Sequence, residues 1–170
     1  MYMILQKCSL WKVAEIFFVE PTKTHFLKEI SRRINLAPTS VRLHIKTLLK
    51  EELIEETKTE LFRGYKAKRE NPHFIFYKKI SNLVSLNSSG VIDLLKEHYP
   101  KAIILFGSYD KGEDIESSDI DLFINSKKFK IDEEKAEKFL KRNIHLTFKE
   151  EAEKGLLQSI NQGTVLYGER

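Results

Sequence analysis

The chain has 170 residues, 41% of them hydrophobic and 32% charged, with seven Gly, four Pro and a single Cys. That is enough apolar content for one ordinary globular domain or two small ones, and it excludes a low-complexity, collagen-like or disulfide-stapled chain. The net charge of +4 hides an asymmetry: residues 1–85 carry +7 and residues 86–170 carry −3. A basic half joined to an acidic half points to an anion-binding module beside something different. Cys8 fits a reducing cytosol and reads as a small residue near a helix start. No apolar run approaches the ~20 residues of a membrane span, and Met1–Leu5, followed by Lys7, is too short for a secretion signal. The expected location is therefore cytoplasmic, with no membrane partner.

Apolar residues spaced by three and four predict a first helix over Ser9–Val19, with Leu10, Val13, Ala14 and Phe17 inward and Glu20-Pro21-Thr22 ending it. A second helix is expected over Thr24–Asn35, capped by Thr24, with Leu27, Ile30 and Ile34 inward. Asn35-Leu36-Ala37 reads as a short turn. Pro38 suits the first position of a third helix, because its missing N–H costs nothing there. That helix runs to about Lys50 and turns Val41, Ile45, Leu48 and Leu49 inward. Two short strands, around Ile54–Thr59 and Phe62–Arg69, then form a hairpin.

Three helices, the last two joined by a short turn, followed by a hairpin make the order of a winged helix-turn-helix. Residues from about 8 to 70 resemble the DNA-binding domain of many small microbial transcription regulators. On the third helix Thr39, Arg42, Lys46 and Lys50 share the face opposite the apolar one, with Ser40 and His44 flanking it. Arg42 is the candidate for a bidentate contact to guanine; Lys46 and Lys50 suit phosphates. The wing offers Lys58, Arg63, Lys66, Lys68 and Arg69 to phosphates or a minor groove of double-stranded DNA. Any one of these lysines is equally well explained as solvated surface. His25 and His73 have no partner spacing and read as structural or surface residues.

From Pro72 to about Leu86 the chain alternates apolar and basic residues and reads as a connecting helix that could serve a homodimer. Asn87-Ser88-Ser89-Gly90 is a break before a helix over Gly90–Tyr99, which Pro100 stops. Lys101–Phe106 is a buried-strand run. Asp119–Asn125 is a second strand, Asp132–Lys141 a helix, Asn143–Phe148 a third strand and Glu150–Gln162 a last helix. The expected class is α+β: a winged helix domain over 1–71, a connecting helix over 72–86, and a small α/β domain with a short mixed sheet over 87–170.

Within that last domain, residues 103–124 place Gly107-Ser108 after one apolar strand, then Gly112, Ser118 and Asp119-Ile120-Asp121 at the start of the next. Alternation along a strand points Asp119 and Asp121 the same way. Two like charges side by side are a poor structural choice and a good one for Mg²⁺, which prefers oxygen ligands and bridges to substrate phosphates. Gly107 lets backbone approach a triphosphate, and Ser108 offers a hydroxyl and an N–H. This pattern closely resembles the minimal nucleotidyltransferases of the DNA polymerase β superfamily. The resemblance implies that Asp119 and Asp121 hold Mg²⁺ and take part in catalysis, while Gly107, Ser108, Lys111 and Ser118 bind an NTP.

Two positions depart from the family's pattern. Lys111 stands where Arg is commonest, keeping the charge but losing the fork. The family's third carboxylate belongs on the next strand, where it completes a second metal site and activates the incoming hydroxyl. That strand turns Ile144, Leu146 and Phe148 to the core and offers Asn143, His145 and Thr147 outward, with no acid. His145 is the nearest substitute, as a base, a softer ligand or a polar surface residue; Glu150 lies just past the strand. Three functions follow as alternatives. One is transfer of a nucleoside monophosphate from an NTP to a hydroxyl acceptor, which makes the chain an enzyme. The second is a regulator that binds nucleotide without turnover. The third, from the resemblance alone, is an antitoxin-like repressor that nucleotidylates a helical partner toxin.

Overall fold

The computed structural model describes residues 7–58 and 63–169. The chain divides into two compact units, Met1–Ser81 and Asn82–Arg170. Met1–Leu5 and Thr59–Phe62 lie outside the described residues, as does the Lys58 side chain.

In the first unit, α1 (Ser9–Val19), α2 (Leu27–Ile34) and α3 (Pro38–Lys50) precede an antiparallel hairpin of β1 (Ile54–Lys58) and β2 (Arg63–Ala67). Val13, Phe17, Ile30, Val41, Ile45, Leu48 and Ile54 are nearly water-free and form its core with Phe74. Each such side chain contributes about 1.5–3 kcal/mol through burial. The second helix starts three residues later than expected. His25 exchanges two 2.9 Å backbone hydrogen bonds with Tyr65, so the chain is still strand-like there. Phe26, extended at φ −116°, takes the N-cap position instead of Thr24. Thr24 packs on Gly64, where a Cβ would lie 2.4 Å from the Thr24 methyl. The α2–α3 turn closes through left-handed Asn35 (φ 51°), a Leu36 N–H bond to Ser31 O at 3.1 Å and a Ser31 Oγ bond to Leu36 O at 2.6 Å. Pro38 opens α3 at its first turn.

The helix α4 (Pro72–Ser88) spans the boundary between the units. Phe74 belongs to the first core, and the buried Lys78 donates to Phe18 O at 2.5 Å; Leu86 belongs to the second core.

The second unit contains α5 (Val91–Lys96), β3 (Ala102–Phe106), α6 (Gly107–Lys111), β4 (Ile120–Ile124), α7 (Glu134–Leu140), β5 (Ile144–Phe148), a 3-10 turn (Lys149–Glu151), α8 (Lys154–Gln162) and β6 (Thr164–Gly168). The sheet is mixed, with order β5-β4-β3-β6; β4 and β5 run parallel and the other pairs antiparallel. One face carries Ile103, Leu105, Ile120, Leu122, Ile124, Ile144 and Phe148. The other carries Ala102, Ile104, Phe106 and Phe123 against Ile160 of α8. Because that second face is also covered, Thr147 is 4% exposed rather than outward-facing. The expected last helix breaks into the 3-10 turn and α8, and the chain then adds β6, an edge strand that periodicity did not reveal. Val165 and Tyr167 remain partly exposed, so β6 lacks the apolar run of a buried strand. Among the described residues no helix is long and apolar enough to cross a membrane.

Glu20 gives the first unit an acid-sensitive tie. Burial alone pushes its carboxyl up, but hydrogen bonds from Arg33 and Lys23, with their charges, outweigh this and hold it at about 2 against an ordinary 4.5. A depressed pKa stabilises the fold above the unfolded value, and that stability is lost as pH falls through the folded one. Urea denaturation of Glu20→Gln should show a deficit on the order of 1 kcal/mol at pH 6. The deficit should shrink between pH 4.5 and about 2; a gap independent of pH would show that these ion pairs are not its source.

Candidate functional site

The strand β3 ends at Phe106, which pairs with Asp121 of β4, and Gly107 follows directly. Gly107 is left-handed (φ +78°), and a Cβ there would lie 2.4 Å from Asp121 Oδ2. The left-handed backbone favours glycine here, and a Cβ would also press on the tip of the Asp121 side chain. The short helix α6 carries half-buried Ser108, buried Tyr109 and Asp110, and exposed Lys111, and left-handed Gly112 (φ 75°) ends it. Asp110 Oδ1 accepts from Thr164 Oγ1 at 2.5 Å, which fastens α6 to β6.

Between Gly112 and Asp119 the chain makes a loop pinned from below. Asp114 is 1% exposed and pairs with Arg142 Nη2 at 2.8 Å. Asn82 Nδ2 donates to Asp114 Oδ1 at 2.7 Å and to Tyr109 O at 2.8 Å. The Arg142 guanidinium also donates to Ile115 O and, at 3.0 Å, to Ser118 O, and it sits 5.7 Å from the Tyr109 ring centre. Ser118 is part of this turn: its hydroxyl oxygen accepts from Ile115 N–H at 3.0 Å.

The loop delivers Asp119 and Asp121 to the sheet end where β4 and β5 begin. Asp121 lies opposite His145 in the parallel ladder. Asp119 Oδ1 accepts from Asn143 Nδ2 at 3.1 Å, and Asp121 Oδ1 lies 3.4 Å from His145 Nδ1. The His145 side chain is 67% exposed. Among the described residues no three His, Cys, Asp or Glu side chains converge as a closed metal cage. Of the acids after β5, Glu150 is exposed. Glu151 is held below the usual carboxylate range by hydrogen bonds from Lys128 and the Phe148 N–H. An open groove of about 390 Å³ runs beside Asp119, lined by Ser117, Lys138, Lys141 and Asn143 among others.

In the first unit, Thr39, Arg42, Lys46 and Lys50 are exposed on one face of α3, with Ser40 and His44 half-buried at its margins. Leu43 joins that face at 63% exposure, a residue the apolar pattern passed over. Arg63 is exposed and pairs with Glu56 at 3.3 Å, and Lys68 pairs with Glu52 at 3.4 Å; Lys66 and Arg69 are exposed. His25 is structural: it is 1% exposed, lies edge-on to Phe17 at 5.1 Å, and its Nε2 is 3.1 Å from Glu20 O.

Residues 90–170 match the protein family described as polymerase beta, nucleotidyltransferase. The second unit thus has a nucleotidyltransferase-type fold. A solved structure of a Lactococcus lactis ZitR mutant is similar at 13% identity with a TM-score of 0.41, over 51% of this chain and 60% of that one. No curated protein matches the chain.

Arg142→Ala should cost about 3–5 kcal/mol in chemical denaturation, because buried Asp114 loses the guanidinium paired with it. Adding Asp114→Asn removes the stranded charge and should recover part of the loss. A single variant as stable as wild type would show that the pair does not hold the loop.

Proposed function

We propose that the chain is a DNA-binding protein whose second unit binds a nucleoside triphosphate with Mg²⁺ and transfers a nucleoside monophosphate to a hydroxyl-bearing acceptor. The observation that carries this reading is the convergence of Gly107, Asp119, Asp121 and His145 at one end of a nucleotidyltransferase-type sheet.

The residues fit the cation. Asp119 and Asp121 supply carboxylate oxygens on one face, and among the described residues neither is paired with a Lys or Arg. Mg²⁺ is commonly bound by one or two carboxylates, with substrate phosphates and waters completing its shell. When bound, Mg²⁺ supplies charge neutralisation to the triphosphate. The chain's own groups do the rest. Gly107 removes the side chain that would block the approach to Asp121, Ser108 offers a hydroxyl and Lys111 a positive charge. Asp121 engages Nδ1 of His145, which leaves Nε2 to take the acceptor's proton. The acceptor oxygen bonds to the α-phosphorus, pyrophosphate leaves, and the proton resides on His145. A protein hydroxyl, including one on a helical partner toxin, is one acceptor of this class.

For the first unit, the exposed Thr39–Arg42–Lys46–Lys50 face of α3 and the adjoining hairpin support a winged helix that enters the major groove of double-stranded DNA. The second reading is a regulator that senses nucleotide without turnover. It is favoured by the acid missing opposite Asp121, where His145 stands.

Incubation with labelled NTP, Mg²⁺ and candidate acceptors separates the two. Under the transfer reading, label moves to an acceptor, and His145→Ala lowers the rate about 10²–10⁴-fold while nucleotide affinity is kept. Wild-type nucleotide binding with no label on the cognate acceptor rules out transfer and leaves the sensor.

A further inference from the structure

The exposed face of α3 is not purely polar. Leu43 lies one turn beyond Thr39 and three residues before Lys46, so it falls in the middle of the cationic stripe. It is 63% exposed, whereas Val41, Ile45 and Leu48 on the opposite face are at most 3% exposed. A lone exposed leucine is ordinary on a protein surface; the surroundings of this one are not. Among the described residues Arg42, Lys46 and Lys50 form no ion pair, while Arg33, Arg63 and Lys68 elsewhere in the unit are matched to Glu20, Glu56 and Glu52. Thr47 turns its hydroxyl back to Leu43 O at 3.3 Å, which removes it as a competing donor. The result is an isobutyl group set in a strip of unmatched cations.

Resting on the DNA-binding reading above, we propose that Leu43 reads the C5-methyl of a thymine in the major groove, beside the base that Arg42 reads. Leucine has no donor or acceptor and therefore cannot discriminate bases through hydrogen bonds. Thymine is the one standard base that presents a methyl group in the major groove. Docking α3 through its cations brings Leu43 to the groove floor, where contact with that methyl removes apolar surface of both from water. A face that met phosphates alone would gain nothing from Leu43.

The test uses the full chain. Duplexes selected from a random pool at fixed ionic strength define the preferred site. Each thymine is then replaced by deoxyuridine, which lacks only the methyl. At one position, removing the methyl should weaken wild-type binding about three- to fivefold. Leu43→Ala should be indifferent to the same replacement while keeping the wild-type salt slope, because its phosphate contacts are intact. Salt-dependent binding in which no deoxyuridine affects the wild type overturns the inference and leaves the DNA-binding reading standing. Wild-type protein that shows no salt-dependent binding to any duplex overturns both. The wild-type arm needs no variant, so a folding defect in Leu43→Ala cannot obscure the outcome.

Discussion

The buried pair of Arg142 and Asp114 is the constraint on which the second unit's site depends. It joins two stretches of chain that local pattern leaves independent. Asp114 sits in the loop between α6 and β4, and Arg142 lies two residues before β5. With Asn82 as a third member, Asp114 accepts from both sides while the guanidinium collects the loop carbonyls of Ile115 and Ser118. A buried charge tolerates such a place only when paired and hydrogen-bonded, and here the pairing fixes the register between the β4 and β5 entrances. Asn143, next in the chain, then reaches Asp119, and His145 lies opposite Asp121.

That register explains how two carboxylates share one face of a sheet. Side by side they repel, and the structure answers with donors on the neighbouring strand: the Asn143 amide to Asp119 and the His145 imidazole to Asp121. Neither donor is a permanent charge that would neutralise the site and exclude a cation. Gly107, the first residue of α6, completes the arrangement by leaving Asp121 Oδ2 the space a side chain would fill. An acid in place of His145 would add a third negative charge and a second cation position. Under the proposed function the imidazole instead leaves a place for one cation and a proton acceptor. Under the proposed function the chemistry is lopsided, with two carboxylates on the nucleotide side and one exposed ring on the acceptor side.

Much of this was legible in the sequence because it is local. Gly107-Ser108 and Asp119-Ile120-Asp121 announce themselves by spacing within one strand–helix–strand passage. Val41, Ile45 and Leu48 follow the helical period, and the structure buries them. What escaped depends on contacts far along the chain. Asp114 and Arg142 are 28 residues apart and each looks like surface charge in isolation. Thr24 reads as a cap until the His25–Tyr65 bridge holds that stretch in a strand-like path. Thr147 reads as outward because strand alternation says nothing about a second covered face, and β6 is a partly exposed edge strand without the continuous apolar run that marks β3. Leu43 was passed over for the opposite reason: an apolar residue on a polar face contradicts the period, and only the exposed geometry gives that contradiction a meaning.

The central claim is that Asp119 and Asp121, held by the loop pinned through Arg142, form a cation-dependent nucleotide site. Isothermal titration of ATP into the wild-type chain and into Asp121→Asn, each with Mg²⁺ and with EDTA, tests it most directly. The account predicts heat of binding for the wild type only when Mg²⁺ is present and none for the variant under either condition. Binding that survives EDTA, or that Asp121→Asn retains at wild-type strength, would contradict it.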